Sequence, residues 1–382
     1  RGVKVDKSLL TRDAAAVIDD PAVDVIVELI GGTKIAKEFI LKALNLGKPV
    51  VTANKALLAE FGKEIFRAAE AKKADIGFEA SVAGGIPIIK ALREGLVANN
   101  IISVYGILNG TCNYILTRME QEGLSFDAVL KDAQKAGYAE AEPSLDIDGI
   151  DTAHKAVILA SLAYGFPVPM KSVHIEGIRG LAQADIAYTK ELGYRIKLLA
   201  IVKQVNGEVE VRVHPTLVPH GHMLASVSGV FNAVTVEGDV VGGTLYYGRG
   251  AGRNATASAV ISDLADVARN LASGGKWSLP VFSQQDKKGR VRSINDIEAR
   301  YYLRLSLVDR PGILARVAQI LGEHQISIAS VMQKEARSGE HVPVIIVTHK
   351  AVEKNFRDAL AKIDAMDVVG AETVRLRIED FV

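Results

Sequence analysis

The stretch VDVIVELIGGTKIAKEFILKAL, residues 23–44, decides the fold class of this chain. Its first part is almost continuously apolar and ends at Gly31-Gly32. The part that follows repeats apolar side chains at helical spacing, at Ile35, Phe39, Ile40, Ala43 and Leu44. An apolar run, a glycine turn and an amphipathic helix in this order are typical of a buried parallel strand and its crossover helix. The stretch therefore predicts an α/β fold.

The sequence that follows continues this alternation. Residues 49–54 (PVVTAN) predict a second strand, residues 57–72 a helix, and residues 74–82 (ADIGFEASV) a third strand. The three strands and two helices make two βαβ units, which are right-handed by the usual rule. We expect a parallel sheet covered by helices.

One edge of this sheet is the expected ligand side, because open parallel sheets bind ligands beyond the carboxyl ends of their strands. The residues at that edge are Gly31, Gly32, Thr33, Asn54 and Lys55. Alternatively, the glycine pair is a plain turn and Lys55 is a solvated surface lysine, because the sequence would be the same in that case. No Gly-x-Gly-x-x-Gly fingerprint follows any early strand, and no residue there distinguishes NAD from NADP.

The composition is that of a globular protein of two or three domains. The chain has 382 residues, of which 48% are hydrophobic and 24% charged, and its 46 basic and 45 acidic residues leave a formal charge of +1. Such a balance favours neither nucleic acid nor a membrane as partner, and Cys112, the single cysteine, excludes an internal disulfide. We expect a soluble, cytoplasmic protein. Because the chain begins with Arg1, we also expect it to start inside a longer protein.

The middle of the chain predicts a mixed region of strands and helices. Strands are expected at residues 101–108, 198–204, 209–218 and 229–236, the last three with alternating apolar and polar residues. That alternation predicts a sheet with one covered face. The helix expected at 151–164 is nearly all apolar after Lys155 and should be buried.

The C-terminal part predicts a compact module of its own. Residues 276–298 are polar and predict a linker, and the following 299–382 contain strands and helices in the order βαββαβ. This order in about 80 residues is the split-βαβ plan.

The stretch GYAEAEPSLDIDGIDTAHK, residues 137–155, is unusually rich in charge. Asp151 and Lys155 lie four residues apart at the start of the predicted helix and therefore share a face, while Asp148 precedes it as a possible cap. A surface ion pair would explain this spacing. Alternatively, the apolar residues after Lys155 place its ammonium in a cleft, where neighbouring charges could tune it for proton transfer.

Six motifs resemble those of homoserine dehydrogenases, and they occur across about residues 23–272 in the same order as in that family. They are GYAEAEPSLDIDGIDTAHKAVILASLAYG, VVTANKALLA, EASVAGGIPII, GILNGTCNYIL, LGYRIKLLAI and YYGRGAGRNATASAVISDL. The C-terminal segment LVDRPGILARVAQILGEHQISIASVMQ resembles an ACT domain, an amino-acid-sensing module. Relative to the family, about fifty residues with the first strand and a glycine-rich turn are expected to be missing from the front.

The resemblance implies a combined α/β and α+β architecture. Residues 1–80 would form a truncated Rossmann-like dinucleotide domain, on which helix 255–273 packs. Residues 81–254 would form an α+β catalytic and dimerisation domain, and residues 276–298 the linker. Residues 299–382 would form a βαββαβ ACT regulatory domain.

The resemblance also implies an activity: reversible hydride transfer between L-homoserine and L-aspartate 4-semialdehyde with NADP or NAD, in threonine and methionine biosynthesis. Lys155 matches the family's proton donor, and Lys55 matches a lysine beside the nicotinamide and the substrate. Glu140 matches the carboxylate that binds the substrate ammonium, with Asp146 and Asp151 as neighbouring acids. The cofactor would be bound by Gly31, Gly32, Thr33, Asn54, Lys55 and Gly250.

The motif EASVAGGIP matches the family's loop for a monovalent cation. Glu79 and the carbonyls of Val82, Gly84 and Ile86 would surround sodium. Oxygen ligands suit a hard cation, and a glycine-rich loop can turn its carbonyls inward. A glycine turn without a metal remains the alternative.

The turn Asp309-Arg310-Pro311-Gly312 opens the first helix of the C-terminal module. Its backbone N–H groups could bind a carboxylate, so Asp309, Pro311 and Gly312 predict a site for an amino-acid effector, most plausibly threonine. Alternatively, the module only helps to assemble a homodimer or homotetramer.

Two other interpretations of the whole chain remain. One is a different ACT-bearing dehydrogenase, for which no catalytic histidine site is evident, and the other is a non-catalytic sensor.

Overall fold

The computed structural model describes residues 4–274, 289–333 and 341–381 of the chain. Within these ranges the strands form one small parallel sheet and one large mixed sheet. No helix in the described ranges is long and apolar enough to cross a membrane.

The small sheet contains the two predicted βαβ units. Its strands are parallel and follow the order β1-β2-β3. The elements of this part are α1 (Ala14–Asp19), β1 (Ile26–Glu28), α2 (Ile35–Asn45), β2 (Val50–Thr52), α3 (Lys55–Lys72) and β3 (Ile76–Gly77). The predicted α/β fold is confirmed, although β3 is shorter than predicted because residues 79–81 turn into a 3₁₀-helix whose Ser81 hydroxyl donates to the Phe78 carbonyl.

Seven α-helices follow the small sheet along the described chain up to residue 272. They are α4 (Ile88–Lys90), α5 (Gly110–Glu122), α6 (Phe126–Lys135), α7 (Ser144–Ile147), α8 (Ile150–Tyr164), α9 (Gln183–Glu191) and α10 (Arg253–Ala272). Helix α8 is buried, as its apolar composition predicts. Helix α10 packs on the small sheet, where Val260 and Val267 contact Val51 of β2.

The large sheet runs through the middle and the C-terminal part of the chain. Its first strands are β4 (Ile101–Ile107), β5 (His174–Ile175), β6 (Tyr194–Val205), β7 (Glu208–Pro219), β8 (Phe231–Gly238) and β9 (Gly242–Arg249). The alternating pattern did not predict β9.

The prediction of one covered face is wrong for this sheet. Strand β7 is buried along almost its whole length, including the polar residues Glu210, Arg212, His214 and Thr216. Helices cover one face. The 3₁₀-helix Met223–Ser226 and the residues that follow the last strand of the chain cover the other. Polar residues on an alternating strand therefore mark a buried ionic face here and not solvent.

The C-terminal module has the predicted βαββαβ order with one additional short strand. Its elements are β10 (Glu298–Val308), α11 (Ile313–Glu323), β11 (Ile328–Gln333), β12 (His341–Thr348), β13 (Ala351–Val352), α12 (Glu353–Asp364) and β14 (Val369–Ile378). It has a separate hydrophobic core, in which the rings of Tyr301 and Phe356 stack at 3.7 Å.

The module is joined to the rest of the chain by backbone pairing. Strand β14 pairs in parallel with β7, with Arg377 opposite Thr216 and Ile378 opposite Leu217. Val291, inside the predicted linker, also forms a bridge with Val209, and residues 275–288 lie outside the described part. The predicted domain boundaries stay predictions.

Candidate active site

A single buried carboxylate, that of Asp151, lies between two lysines. Lys155 Nζ is 2.5 Å from Asp151 Oδ2, and Lys55 Nζ is 2.7 Å from Asp151 Oδ1. Lys155 Nζ also donates to the carbonyl of Leu108 at 2.7 Å. Asp151 and Lys155 therefore form a buried pair, and the alternative of a surface ion pair is wrong.

Two helices bring these side chains together. Asp151 and Lys155 lie one turn apart on the same face of α8, whereas Lys55 is the first residue of α3. Helix α3 packs against α8, so its N-terminus faces Asp151. The side chain of Lys55 is 44% exposed while that of Asp151 is 6% exposed, which makes Lys55 the member of the group that solvent and ligands can reach.

Charge controls the ionisation of the group. Burial opposes ionisation of Asp151, but Lys155 and Lys55 outweigh burial and hold the pKa of this carboxyl well below its usual value. Burial likewise opposes the charge on Lys55, yet Asp151, Asp146 and Glu140 raise its pKa above the ordinary value. Asp151 is therefore an anion and Lys55 a cation at neutral pH.

Asn109 is a residue of this site that sequence reasoning missed. Its Oδ1 caps α5 by accepting from Cys112 N at 2.8 Å, and its Nδ2 donates to Asp146 Oδ1 at 2.7 Å and to Asp151 Oδ2 at 3.0 Å. Asparagine is a common helix N-cap, and this was the local signal available. Nothing local indicated the contacts with carboxylates 37 and 42 residues away.

Asp148 does not cap α8, contrary to the prediction. The residue before the helix is Gly149, with φ of 85°, and Asp148 pairs with the guanidinium of Arg179. A Cβ on Gly149 would lie 3.2 Å from Ile175. The positive φ and the close packing leave Gly149, and not Asp148, at the helix start.

Glu140 lies on the open side of the site. This residue is exposed and lies between α6 and α7. Its backbone carbonyl accepts a hydrogen bond from Gln134 Nε2 at 3.1 Å. Its charge acts on Lys55, whose pKa it helps to raise. The structure thus brings Glu140, Asp146, Asp151, Lys155 and Lys55 into one neighbourhood.

The glycine turn after β1 is held by two buried polar residues. Glu28 Oε1 accepts from the N–H groups of Ile30 and Gly31, and Asn54 Nδ2 donates to the Gly32 carbonyl at 2.8 Å. Gly31 and Gly32 have φ of 76° and 74°, and a Cβ on either would meet no atom within 4 Å. The turn is therefore an open backbone surface at the ligand edge of the sheet.

Glu28 is a second residue that sequence reasoning missed. It interrupts the apolar run of β1, and its Oε2 accepts from Thr52 Oγ1 at 2.7 Å. A lone acid inside an apolar strand was the available signal, because a buried carboxylate needs hydrogen-bond donors. Thr33 is partly exposed beside the turn.

The predicted cation loop packs against Gly250. A Cβ on Gly84 would lie 2.7 Å from the Gly250 carbonyl oxygen, and Gly85 N donates to Arg249 O at 3.0 Å. The carboxylate of Glu79 accepts from the backbone N–H groups of Ile89 and Lys90, both at 2.9 Å. Its two oxygens are thus engaged with the start of α4.

Gly250 itself has no room for a side chain. A Cβ there would lie 1.9 Å from Asn232 Nδ2, so only glycine fits. Within the described ranges, no group of three or more His, Cys, Asp or Glu residues could hold a metal ion. The oxygens that this loop offers to a cation are its backbone carbonyls and the remaining lone pairs of Glu79.

The turn that precedes α11 is exposed and has a backbone conformation that favours glycine. Gly312 has φ of 88°, with no atom within 4 Å of a Cβ position, and Gln333 Nε2 donates to Asp309 Oδ1 at 3.2 Å. Pro311 lies between Asp309 and Gly312 in the same turn.

Three family models match the chain. Residues 1–79 match the model described as "Homoserine dehydrogenase, NAD binding domain", residues 87–265 match "Homoserine dehydrogenase", and residues 301–365 match "ACT domain". Together they account for most of the sequence.

Relatives and solved structures agree with these models. The homoserine dehydrogenase of Pseudomonas aeruginosa is 49% identical over 374 residues, which are 97% of this chain and 86% of the relative. The crystal structure of a homoserine dehydrogenase from Thiobacillus denitrificans has a TM-score of 0.93 at 49% identity and covers 97% of this chain and 85% of that one. A hyperthermophilic archaeal homoserine dehydrogenase solved in complex with NADPH has a TM-score of 0.59 at 31% identity, covering 67% and 75% of the two chains.

Proposed function

Because this chain belongs to the homoserine dehydrogenase family, we propose that Asp151, Lys155 and Lys55 form the centre of its active site. The enzyme interconverts L-homoserine and L-aspartate 4-semialdehyde by hydride transfer with a nicotinamide cofactor. The observation that carries the assignment is one buried carboxylate between two lysines, one buried and one open to ligands. Homoserine-dependent reduction of NADP by the full chain tests the activity.

The chemistry of the reaction explains the choice of residues. The nicotinamide supplies the hydride that reduces the aldehyde, and the resulting alkoxide needs a proton. The ammonium of Lys155 is the group we propose to give it, because it is buried and held by the Leu108 carbonyl and Asp151. Asp151 remains anionic and orients both lysines. Asn109, which binds Asp151 and Asp146, is a positioning residue.

NADP is the cofactor that we propose in preference to NAD. The archaeal relative in complex with NADPH supports this choice. Gly31, Gly32 and Thr33 would lie along the nicotinamide side, with Asn54 holding the turn and Lys55 next to it. Gly250 would bring backbone close to the cofactor.

Sodium is proposed at the 79–86 loop. The ligands proposed are Glu79 and the backbone carbonyls of Val82, Gly84 and Ile86, since each carboxylate oxygen of Glu79 accepts one backbone N–H and keeps a second lone pair. Neutral oxygen donors suit a weakly held monovalent cation better than a divalent one. The tight contact of Gly84 with Gly250 would connect this cation to the cofactor side.

Glu140 is proposed to bind the substrate ammonium. Changing Glu140 to Gln should raise KM for homoserine about tenfold or more, because the ammonium then lacks its charge partner. The change is on an exposed residue and should leave the fold intact. Steady-state kinetics with Glu372→Gln, an exposed acid in β14, as control measures the effect. Equal KM values for Glu140→Gln and the parent enzyme would contradict the role.

The ACT domain implies regulation by an amino acid, and threonine at Asp309, Pro311 and Gly312 is the effector and site that we propose. Changing Gly312 to Ala strains a residue with φ of 88° and should weaken threonine inhibition about fivefold or more without loss of basal activity. Gly322→Ala, inside α11 and also without atoms within 4 Å, is the control. Threonine titrations of the two variants measure the difference. If threonine never inhibits the parent enzyme, the module has only a structural role.

Deleting residues 299–382 would be a poor test of regulation. It would remove Arg377 and Glu379, which pair with Glu176 and Arg212 of the preceding part at 2.8 and 2.7 Å. Unpaired buried charges destabilise a protein strongly. Single substitutions in the turn avoid this effect.

We further propose a homodimer or homotetramer in the cytoplasm. Side-by-side pairing of ACT modules supports the assembly, since β11 is an exposed edge strand of the large sheet. The reaction is a step of amino-acid biosynthesis, which supports the location.

A further inference from the structure

A polar cavity of about 360 Å³ lies away from the residues assigned so far. It opens between β5, β7 and residues 290–297, where the chain enters the C-terminal module. Its charged and polar lining consists of Lys171, His174, Glu210, Arg212, Arg290 and Arg292. Ligand pockets of proteins have comparable volumes.

The floor of the cavity holds two buried polar atoms without hydrogen bonds. Glu210 is 3% exposed and Arg212 is 2% exposed, and within the described part of the chain Glu210 Oε2 and Arg212 Nε form no hydrogen bond. They lie 3.4 Å apart as an ion pair, and Lys203 Nζ is 3.8 Å from the same Glu210 oxygen. Since buried polar atoms are nearly always hydrogen-bonded, this acceptor and this donor, although paired by charge, are each open to one further hydrogen bond.

The mouth of the cavity is positive. Lys171 and Arg290 are exposed, and Arg292 lies deeper, 3.6 Å from Glu210 Oε1. A ligand that fits must therefore present an anionic group to the arginines and a hydrogen-bond donor to the buried carboxylate of Glu210. A free α-amino acid carries an ammonium and a carboxylate on the same carbon atom.

We infer that this cavity binds a free α-amino acid, with its ammonium on Glu210 and its carboxylate on Arg292 and Arg290. A simple anion would engage only the arginines and would add no hydrogen bond to Glu210 Oε2. The inference concerns binding and does not depend on which residues catalyse the reaction.

The site differs from the turn at Gly312. Ile297 lines the cavity, and the 11 residues of β10 separate it from Asp309. At about 3.3 Å per residue the two places are on the order of 35 Å apart. The cavity is, however, linked to the C-terminal module, because Arg212 Nη2 donates to Glu379 Oε2 at 2.7 Å.

Isothermal titration calorimetry tests the inference. The full chain is titrated with L-threonine, L-methionine, L-isoleucine and L-aspartate. The titrations use the Gly312→Ala variant, which removes binding at the Asp309–Gly312 turn. At least one of the four amino acids should still bind to this variant at millimolar concentrations. Changing Glu210 to Gln should weaken that binding about tenfold or more, and so should replacing the ammonium of the bound amino acid by a hydroxyl. Asp367→Asn, an exposed acid of the module, is the matched control.

The exposed variant Arg290→Gln, which cannot disturb the core, should also weaken binding. This second variant keeps the test decisive if Glu210→Gln fails to fold. Absence of binding by all four amino acids, equal binding by the variants and the parent, or tighter binding of inorganic phosphate than of any amino acid would each overturn the inference.

Discussion

Changing Lys155 to Ala is expected to lower kcat for homoserine oxidation by ~10²-fold or more while NADP affinity stays close to that of the parent enzyme. The reason is that the ammonium donates to Asp151 and to the Leu108 carbonyl, whereas Glu28 and Asn54 hold the glycine turn, so its loss removes proton transfer and leaves the turn intact. Stopped-flow and steady-state assays at saturating substrate measure this effect.

A matched control is Lys354→Ala, which removes an exposed lysine from α12. Its kcat should equal that of the parent. An unchanged kcat in Lys155→Ala would exclude Lys155 as the proton donor, whereas a lowered kcat with parent-like NADP binding would support it.

Changing Arg377 to Leu is expected to lower the free energy of unfolding by about 3–5 kcal/mol. The guanidinium donates to both carboxylate oxygens of Glu353, at 2.7 and 2.8 Å, and to Glu176 Oε2 at 2.8 Å. Without it, Glu353, which is 1% exposed, loses the guanidinium that binds both of its oxygens, and Glu176 is left with its contacts to His174 and Arg375. Urea titration followed by circular dichroism measures the loss.

The control for this prediction is Arg316→Leu. Arg316 pairs with Asp367 at 3.8 Å on the surface, where an ion pair contributes about 1 kcal/mol or less. If the two variants lost the same small amount, the junction between the module and the rest of the chain would not depend on this buried pair.

The same pair predicts a pH dependence. Burial raises the pKa of Glu353, but Arg377 outweighs burial and holds it below the ordinary value. A depressed carboxyl pKa stabilises the folded state above the ordinary pKa, and this contribution is lost as the pH falls below about 4. The parent enzyme should therefore lose more stability on acidification than Arg377→Leu does.

Local patterns predicted most of the elements. The run at 23–44 predicted β1 and α2, and the βαββαβ order predicted the C-terminal module, because hydrophobic periodicity and glycine turns act within a few residues. The spacing of Asp151 and Lys155 likewise predicted a shared helix face.

Burial of charge was not predictable in this way. In β7 the alternation of Glu210, Arg212, His214 and Thr216 with apolar residues predicted a solvated face, yet Glu379, 167 residues beyond Arg212, covers it with a compensating charge. A strand's own pattern cannot show which distant residue will pair with it.

The sequence by itself determined the fold class, the family and the residue types of the site, because motifs of defined spacing carry them. Only the tertiary structure decided that α3 and α8 meet, so that Lys55 and Lys155 share Asp151, and that Asn109 and Glu28 serve the site. It also decided that Glu210 and Arg212 lie at the floor of a cavity. These contacts join residues that are remote along the chain, and only the packing of whole elements, set by the cores between them, brings such residues within hydrogen-bond distance.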